Sequence, residues 1–554
     1  MLLSPTQGRP RFVEPGGTFR AVAQFPQAPG NLRVELVARD TPAHRHTLED
    51  QTPNADTGAP ERCFTLRVPA DVPEGTYDLE VSAAGVALRA RHAVAVARLG
   101  RRVRLVHLSD MNVGDLGAPD FDERLIAEVN LLDPTLIVVT GDLLDATHPD
   151  PAQGWPRLSE FLARFHAPAL VACGDHEDPE AYAQWMAPSP MGVIEVGEYR
   201  GLLLYDLPGL PITGDDDQLR WVQRQLGGGT WTMTFVVAYD ACPNLLRYWQ
   251  QQGALGPMVR AGRLGLWFSG GHRDWDGQEY RATIDAAAPM MYLRTHAAST
   301  VTRDGADGVS HYRVVDIEGD RATVYGDLNA GGAPASIPVG SLRVAFDGPN
   351  DGTRTCVTAT ASNGLRFRLD RLTARVLLRR TGEGQPWCRG AKLERATALA
   401  QTWECWVRFD LPDKGVLEAV VGCGPAPAEP AIEVRFELPR TLVMRNALTP
   451  DGVLCATAVD WNGSVQLRNT GERVVEVAPL VRLDGELLPY RVVDESGPLA
   501  SVYRLRLAPR QTVALQPDPT AARVAPGRRE LQVYLKGGPG LAPACWPLDV
   551  TLVR

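Results

Sequence analysis

The N-terminal part of the chain alternates hydrophobic and polar side chains with the two-residue period of strands that bury one face. The alternation is clearest in "TFRAVAQF", "LRVELVAR", "CFTLRVPA" and "TYDLEVSA". Turns that are rich in proline and glycine, such as "VPEGT", separate these stretches. The pattern predicts a small immunoglobulin-like β-sandwich over residues 1–98.

The next segment, residues 99–326, contains hydrophobic runs without alternation, as expected of strands that are covered on both faces. Three of these runs are "VRLVHLSD", "TLIVVTGD" and "ALVACGDHE". Stretches of helical period lie between them, for example "FDERLIAEVNLLD", in which Leu125, Ile126 and Val129 share one face. The order strand, helix, strand, helix, strand predicts a layered α/β domain.

The C-terminal part of the chain returns to strand-like alternation. Stretches such as "TCVTATAS" and "ECWVRFDL" fit one sandwich, and "VQLRNTG" and "YRLRLAP" fit another. The boundary between them is predicted in "GCGPAPAEPA", residues 422–431, where proline, glycine and alanine are concentrated. The sequence therefore predicts a β-sandwich over residues 327–428 and an immunoglobulin-like β-sandwich over residues 429–554.

Each hydrophobic run of the α/β segment ends in a carboxylate or a histidine. These residues are Asp110, Asp142, Asp175, His176, Asp240, His272 and Asp274. An Asp after a strand often caps the next helix, and each residue taken alone favours that interpretation. Five strand ends of this kind are harder to explain as caps, and ligand sites of α/β sheets lie at the carboxyl ends of strands. We therefore predict that these side chains converge.

These strand ends resemble the motifs of the calcineurin-like metallophosphoesterases, a family that includes the purple acid phosphatases. The family pattern is Asp-x-His, Gly-Asp-x-x-Asp, Gly-Asn-His-Asp/Glu, a lone His and Gly-His-x-His. The corresponding stretches here are "SDMN", "GDLLD", "GDHE", "AYDACP" and "GHRD". The resemblance covers about residues 103–326 and implies a central four-layer α/β sandwich, flanked here by β-sandwich domains.

The resemblance implies two divalent metal ions that share Asp142. The implied ligands are Asp110, Asn112, Asp142 and Asp274 for one ion, and Asp142, Asp175, Asp240 and His272 for the other. His176 would be the general acid that protonates the leaving group. Arg273 is not part of the family pattern, but it lies beside the last motif in sequence, and we predict that it binds substrate. The fourth position stays open, because Tyr239 could occupy it instead of Asp240.

Four of these positions differ from the family pattern, and each difference keeps a group that can bind a metal. Asn112 stands where the family has His, and Asp175 stands where it has Asn; Asp240 and Asp274 stand where it has His. An oxygen-rich set of this kind suits hard cations such as Ca²⁺, Mg²⁺ or Mn²⁺. We expect one or two such ions, with an empty site as the remaining alternative.

The added carboxylates argue against phosphate chemistry. Two divalent ions do not neutralise five ligand carboxylates, whereas the family's smaller number of carboxylates leaves a positive surplus that attracts phosphate. We therefore favour a divergent metallophosphoesterase-fold protein that is non-catalytic or has a changed activity, with a cation-binding structural or interaction role. The alternative is an active phosphoesterase that uses Mn²⁺ or Mg²⁺ with His176 as general acid.

Charge and composition limit the classes of partner that we expect for this chain. The net charge of −9 and the lack of any basic run argue against nucleic acid, and no hydrophobic stretch is long enough to span a bilayer. A small phosphoester is expected as a ligand only if the site is active. The β-sandwich domains could instead bind a protein partner or mediate self-assembly.

Cysteine usage and the N-terminus bear on the compartment. The chain has nine cysteines and no CxxC pair, which favours buried, reduced thiols over a zinc knuckle. No signal peptide is visible, so the expectation is a cytoplasmic protein unless a signal was removed.

Overall fold

The structure is a computed structural model. It describes residues 1–25, 32–38, 44–52, 61–83, 86–114, 123–144, 153–207, 212–214, 216–239, 244–270, 282–283, 290–299, 309–327, 334–382, 384–425, 432–448, 454–459, 461–483, 486–493, 504–519, 527–536 and 544–553. The chain divides into two compact units, Met1–Gly340 and Ser341–Arg554, and most of its regular structure is β-strand.

The first unit begins with two antiparallel sheets. Their strands are β1 (Leu2–Ser4), β2 (Arg11–Val13), β3 (Thr18–Gln24), β4 (Leu32–Ala38), β5 (Arg45–Thr47), β6 (Glu49–Asp50), β7 (Glu61–Arg67), β8 (Gly75–Ala83) and β9 (Val86–Val96). The strand orders are β1-β3-β7-β6 and β2-β9-β8-β4-β5, with a parallel pair only between β2 and β9. Alternate side chains of both sheets, among them Phe19, Phe64 and Leu79, form one hydrophobic core. The predicted alternation is confirmed in β3 and β7, but it is wrong for β4, where four consecutive residues are buried. The division of the chain into four domains remains a prediction.

The rest of the first unit is layered. Its elements are β10 (Arg102–Leu108), α1 (Glu123–Leu132), β11 (Leu136–Val139), α2 (Gly154–Leu162), β12 (Ala169–Val171), α3 (Pro179–Trp185), β13 (Gly192–Val196), β14 (Tyr199–Leu203), α4 (Asp217–Leu226), β15 (Met233–Ala238), α5 (Asn244–Gln251), α6 (Leu255–Gly262), β16 (Leu264–Ser269), β17 (Ala282–Thr283), β18 (Met291–Arg294), β19 (His311–Glu318), β20 (Arg321–Tyr325) and β21 (Ile337–Pro338). The predicted order strand, helix, strand, helix, strand is confirmed by β10, α1, β11, α2 and β12.

Two mixed sheets face each other in this region. The first has the order β12-β11-β10-β19-β20, with β21 paired to β19, and the second has the order β13-β14-β15-β16-β18-β17. Leu105 and Val138 of the first sheet share a hydrophobic core with Phe235 and Phe268 of the second. Helices α4, α5 and α6 pack on the other face of the second sheet, where they contact Trp267.

Local sequence explains where two of the helices begin. Asp178 precedes α3, and its carboxylate accepts hydrogen bonds from the backbone N–H groups of Glu180 (3.4 Å) and Ala181 (3.1 Å). Pro179 then occupies the first turn, where a missing N–H costs nothing. Asp216 caps α4 in the same way, through the N–H of Leu219. Asp178, the residue directly after the "GDHE" motif, is therefore a helix cap and is not one of the predicted site residues.

The second unit contains β-strands throughout its described residues. They are β22 (Leu342–Phe346), β23 (Cys356–Asn363), β24 (Leu369–Arg379), β25 (Pro386–Arg389), β26 (Lys392–Ala398), β27 (Thr402–Leu411), β28 (Val416–Cys423), β29 (Ile432–Glu437), β30 (Thr441–Leu448), β31 (Leu454–Val459), β32 (Ser464–Asn469), β33 (Val475–Leu483), β34 (Glu486–Leu488), β35 (Tyr490–Val492), β36 (Leu505–Leu507), β37 (Thr512–Pro517), β38 (Gly527–Lys536) and β39 (Ala544–Val553). The sheets are β22-β23-β28-β25, β24-β27-β26, β29-β32-β37-β35 and β31-β30-β39-β38-β33-β34, with β36 paired to β33.

The structure bears on two expectations, the lack of a membrane span and the burial of the cysteine thiols. No helix in the described segments is long and apolar enough to span a bilayer. The described cysteines form no disulfide, and Cys173 and Cys405 are buried as expected. The expectation of buried thiols is wrong for Cys63, Cys356 and Cys545, which are exposed because they lie on outward-facing positions of the sheets.

A buried ion pair joins β10 to β19. Asp316 lies opposite Arg104 in the antiparallel register and accepts two hydrogen bonds from its guanidinium, at 2.8 and 3.1 Å. Arg102 and the Tyr325 hydroxyl donate to the same carboxylate. Burial alone would raise the pKa of Asp316, but the hydrogen bonds and charges of Arg104 and Arg102 outweigh it and lower the pKa below its usual value.

His107 of β10 is buried between the two sheets. One ring nitrogen lies 2.9 Å from the Thr140 hydroxyl and the other 2.6 Å from the Thr295 hydroxyl. Burial, with a contribution from the charge of Arg313, lowers the pKa of His107 well below its usual value. The ring is therefore neutral in the folded protein.

We expect Asp316→Asn to destabilise the first unit by about 3–5 kcal/mol, because it leaves the buried Arg104 guanidinium without its carboxylate. Chemical denaturation followed by tryptophan fluorescence measures the loss. The control is Glu160→Gln, which breaks an exposed ion pair with Arg91 and should change stability by less than about 1 kcal/mol. Equal effects of the two substitutions would contradict the importance of the buried pair.

We expect His107 to make the fold less stable in mild acid. Its pKa is lower in the folded than in the unfolded chain, so the unfolded chain binds a proton first as the pH falls below about 6.5. The stabilisation is complete above that pH and is lost as the pH falls toward the folded pKa. His107→Gln should therefore reduce the drop in melting temperature between pH 7.5 and pH 5.5, whereas His44→Gln, at an exposed position, should leave the drop unchanged.

Candidate metal site

Parallel pairing brings three of the predicted motifs to one edge of the first sheet. β10 pairs in parallel with β11, and β11 with β12, so their carboxyl ends lie side by side. Main-chain hydrogen bonds continue beyond the strands: the N–H of Asp110 donates to Gly141 (3.2 Å), and the N–H of Asn112 donates to Asp142 (2.9 Å). Main-chain hydrogen bonds therefore hold the first two motifs together beyond the ends of their strands.

Three of the predicted ligands have an unusual backbone conformation. The φ angles of Asp110, Asn112 and Asp142 are 51°, 47° and 49°, in the left-handed region. This region is uncommon for residues other than glycine, although Asn and Asp tolerate it best. Backbone strain of this kind concentrates at functional sites. Here the chain turns sharply at each of these residues, just after the end of a strand.

Two glycines allow the motifs to approach each other closely. Gly141 has a φ of 94°, and a Cβ there would lie 2.8 Å from the ring of Tyr239 and 2.9 Å from Gly174. A Cβ on Gly174 would lie 2.4 Å from the backbone nitrogen of Asp142. Larger residues at either position would push the second and third motifs apart.

Glu177 ties the same two motifs together through its side chain. Its Oε1 accepts hydrogen bonds from the N–H groups of Leu143 (2.7 Å) and Leu144 (3.1 Å), and its Oε2 accepts from the N–H of Gly174 (2.6 Å). Burial raises the pKa of Glu177 to about 7, although these backbone hydrogen bonds oppose the shift. The sequence motif contained Glu177, but no role was predicted for it.

Asp142 is buried, with its side chain 5% exposed. Its Oδ2 accepts a hydrogen bond from the Tyr239 hydroxyl at 2.8 Å. Its Oδ1 is buried and has no hydrogen-bond partner among the described residues. Burial, followed by the charges of Asp110 and Glu177, raises the pKa of Asp142 to about 10.

His176 faces Asp142 from the end of β12. Its Nδ1 lies 3.1 Å from the backbone oxygen of Leu144, and because a carbonyl can only accept, Nδ1 carries the proton. Its Nε2 lies 3.8 Å from Asp142 Oδ2 and 4.0 Å from Asp175 Oδ1. One ligand atom from each of Asp142, Asp175 and His176 falls within 4.8 Å of the others.

The structure brings five predicted site residues to this edge: Asp110, Asn112, Asp142, Asp175 and His176. Asp110 accepts a hydrogen bond from the Ser109 hydroxyl and influences Asp142 through its charge. Four further predicted residues lie outside the described residues: Asp240, His272, Arg273 and Asp274. Tyr239, the alternative at the fourth motif, is buried and bonded to Asp142, and burial and that neighbouring charge raise its pKa.

The chain is similar to known proteins over only part of its length, and the similarity is weak. No family model matches the chain. An uncharacterised metallophosphoesterase of Campylobacter jejuni is 30% identical over 84 residues, which are 15% of this chain and 22% of that protein. The chain therefore spans less than a quarter of the curated relative that it matches.

Two solved structures are similar to parts of the chain. GAP50, the anchor in the inner membrane complex of Plasmodium, is 12% identical with a TM-score of 0.28, and the match covers 43% of this chain and 88% of that one. A hypothetical protein from Thermus thermophilus is 15% identical with a TM-score of 0.27, and the match covers 40% and 96% of the two chains. The similarity to a metallophosphoesterase is thus weak and confined to part of the chain.

We expect Glu177→Gln to destabilise the site loops. The amide group cannot accept hydrogen bonds at both ends, so at least one buried N–H loses its partner, at a cost of about 1–3 kcal/mol. Hydrogen exchange at Leu143, Leu144 and Gly174 measures the local effect. Glu180→Gln, three residues away on an exposed position of α3, is the matched control and should leave these amides as protected as in the wild type.

Proposed function

We propose that this protein is a divergent metallophosphoesterase-like protein whose altered site binds a hard divalent cation and has a structural or interaction role. The supporting observation is the buried carboxyl of Asp142, whose Oδ2 lies 3.8 Å from Nε2 of His176 and which offers one ligand atom within 4.8 Å of ligand atoms of Asp175 and His176. Its other oxygen, Oδ1, is buried without a hydrogen-bond partner among the described residues, and a buried acceptor of this kind is rare unless something binds it. A cation would also offset the negative charges of Asp110 and Glu177, which lie close enough to act on Asp142.

The donor set fits such a cation. Asp142 and Asp175 offer carboxylate oxygens, and the Nε2 of His176 offers a lone pair because Nδ1 donates its proton to the backbone oxygen of Leu144. Histidines that bind metals commonly donate their other ring N–H to a carbonyl in this way. Oxygen ligands with a single imidazole favour Mn²⁺, Mg²⁺ or Ca²⁺ over ions that prefer sulfur.

The position of His176 bears on catalysis. We predicted His176 as a general acid, but a nitrogen that binds a cation cannot at the same time protonate a leaving group. Asp175 and Asp142 add negative charge where a phosphate would approach. Both points favour a cation site without phosphate cleavage.

The alternative function is an active phosphoesterase. It is supported by the side chain of His176, which is 24% exposed and so could reach a bound substrate. A bound divalent cation would then polarise a phosphoryl oxygen. In that case Nε2 of His176 would hold the proton for the leaving group, and Asp142 would orient the site through its contact with Tyr239.

The proposal includes a division of the chain into four domains, residues 1–98, 99–326, 327–428 and 429–554. In this view the central domain supplies the cation site and the β-sandwiches supply surfaces for a protein partner or for self-assembly. The paired sheets at the start of the first unit and in the second unit are compatible with that arrangement.

The test is cation binding by the whole chain. We expect Mn²⁺, Mg²⁺ or Ca²⁺ to raise the melting temperature and to bind in calorimetry, and Asp142→Asn to weaken the binding at least about 10-fold. Asn has nearly the same size and shape as Asp, so the melting temperature of the cation-free protein should change little. Asp217→Asn, at an exposed ion pair with Arg220, should bind like the wild type.

Hydrolysis of an aryl phosphate distinguishes the two functions. Cation binding without turnover agrees with the favoured proposal. Turnover that is lost in both Asp142→Asn and His176→Ala would establish the active alternative. Absence of both binding and turnover would contradict the cation site itself.

A further inference from the structure

We propose that a turn between β1 and β2 positions the candidate metal site, because it ties together the segments that carry the second and third motifs. The turn, residues Thr6–Arg9, belongs to the part of the chain for which the sequence predicts the N-terminal β-sandwich. It lies outside the cluster of donors Asp142, Asp175 and His176. The inference rests on the proposed cation-binding function, and it names residues that would hold the ligands in place without being ligands.

Main-chain hydrogen bonds close the turn and fix its shape. The N–H of Thr6 donates to the oxygen of Arg9 at 3.2 Å, and the N–H of Arg9 donates to the oxygen of Thr6 at 3.3 Å. Gln7, inside the turn, is buried, with 4% of its surface exposed. A polar side chain that is buried so deeply needs partners, and the neighbouring layered elements supply those of Gln7.

Gln7 joins the turn to α2, which follows the second motif in the chain. Its Nε2 donates to the backbone oxygen of Ser159 at 2.7 Å, and its Oε1 accepts from the Ser159 hydroxyl at 2.7 Å. α2 packs against the second motif, since a Cβ on Gly154 would lie 2.7 Å from the side chain of Leu144. The amide of Gln7 therefore holds the turn against the helix that contacts the loop after Asp142.

Gly8 joins the same turn to both ends of the segment that carries the third motif. Its oxygen accepts from the N–H of Val171, the last residue of β12, at 2.9 Å, and its N–H donates to the oxygen of Met186, just after α3, at 3.0 Å. A Cβ on Gly8 would lie 2.9 Å from the Cβ of Met186, so the contact has no room for a larger residue. Asp175 and His176 lie in the stretch that Gly8 holds at both ends.

The turn is thus a second connection between the two motifs, in addition to the direct one through Glu177. Glu177 fixes the backbone close to the ligands, whereas the turn fixes the elements on which the two loops are mounted. Nε2 of His176 lies 3.8 Å from Oδ2 of Asp142, so this distance spans the two motifs and changes when either segment shifts. Ligands must be held to within about 0.5 Å for tight binding, and loosening the turn should therefore weaken cation binding.

The experiment measures the affinity of the whole chain for a cation by calorimetry, with Mn²⁺, Mg²⁺ or Ca²⁺, whichever of the three binds the wild type most tightly. We expect Gln7→Ala and Gly8→Ala each to weaken binding about 3- to 10-fold, because both release the turn from the layered elements. Hydrogen exchange at the Val171 amide should become faster in both variants. Circular dichroism at the temperature of the titration shows that each variant is folded.

A double-mutant cycle tests whether Gln7 acts through Ser159. The Ser159 hydroxyl donates to Gln7, so Ser159→Ala alone should also weaken cation binding. In a chain that already carries Gln7→Ala, the added Ser159→Ala should change the affinity by less than about 2-fold, because the contact is already lost. A full additional loss of affinity would overturn the role given to Gln7.

The matched control is Asn130→Ala. The amide of Asn130 also bonds in both directions, donating to the oxygen of Arg164 at 3.1 Å and accepting from the N–H of His166 at 2.7 Å. Both partners precede β12, so this amide lies at the edge of the sheet opposite the candidate site. Asn130→Ala should lower the melting temperature and leave the cation affinity within about 2-fold of that of the wild type.

The outcomes separate this inference from the function on which it rests. Cation binding that is unchanged in Gln7→Ala and Gly8→Ala would overturn the inference and leave the proposed function intact. An equal loss of affinity in Asn130→Ala would overturn it as well, because the effect would then be a general loss of stability. If the wild type binds none of the three cations, the proposed function fails and the inference fails with it.

Discussion

The parallel pairing of β10, β11 and β12 is the constraint on which the candidate site depends. Strands that run in the same direction must all turn at the same edge of the sheet, so their ends crowd together. The left-handed backbones of Asp110 and Asp142 and the close contact at Gly174 are found at that edge. The sheet brings the side chains at these strand ends close together, and the chemistry of the site depends on which side chains they are.

Three buried carboxylates in the first unit show how differently the same group can be accommodated. Asp316 is neutralised by arginines, and its pKa falls. Glu177 is bound by three backbone N–H groups, which oppose but do not cancel the effect of burial on its pKa. Asp142 accepts one hydrogen bond from a tyrosine hydroxyl, and burial together with several negative neighbours raises its pKa to about 10. Among these three, Asp142 therefore has the most to gain from a cation.

The sequence predicted the parts of this arrangement that depend on local pattern. Strand and helix order through β12 follows from hydrophobic periodicity, and the gathering of Asp110, Asp142 and His176 follows from parallel topology. The roles of Glu177 and Tyr239 could not be predicted, because each depends on contacts with residues far away in sequence whose distances only the packed sheets define. The cysteine expectation failed where thiols lie on outward-facing strand positions, since composition does not tell which face of a strand a residue occupies.

The bonds of Glu177 separate the shape of the site from its ligands. Leu143, Leu144 and Gly174 are held by a side chain that is not among the cluster of donors, so the loops keep their path whichever groups face a cation. Substitutions at positions 112 or 175 can then alter the preferred ion without rebuilding the loops. Loops held in this way can accept changes in the ligand residues. The chemistry of the site can therefore change while the fold stays the same.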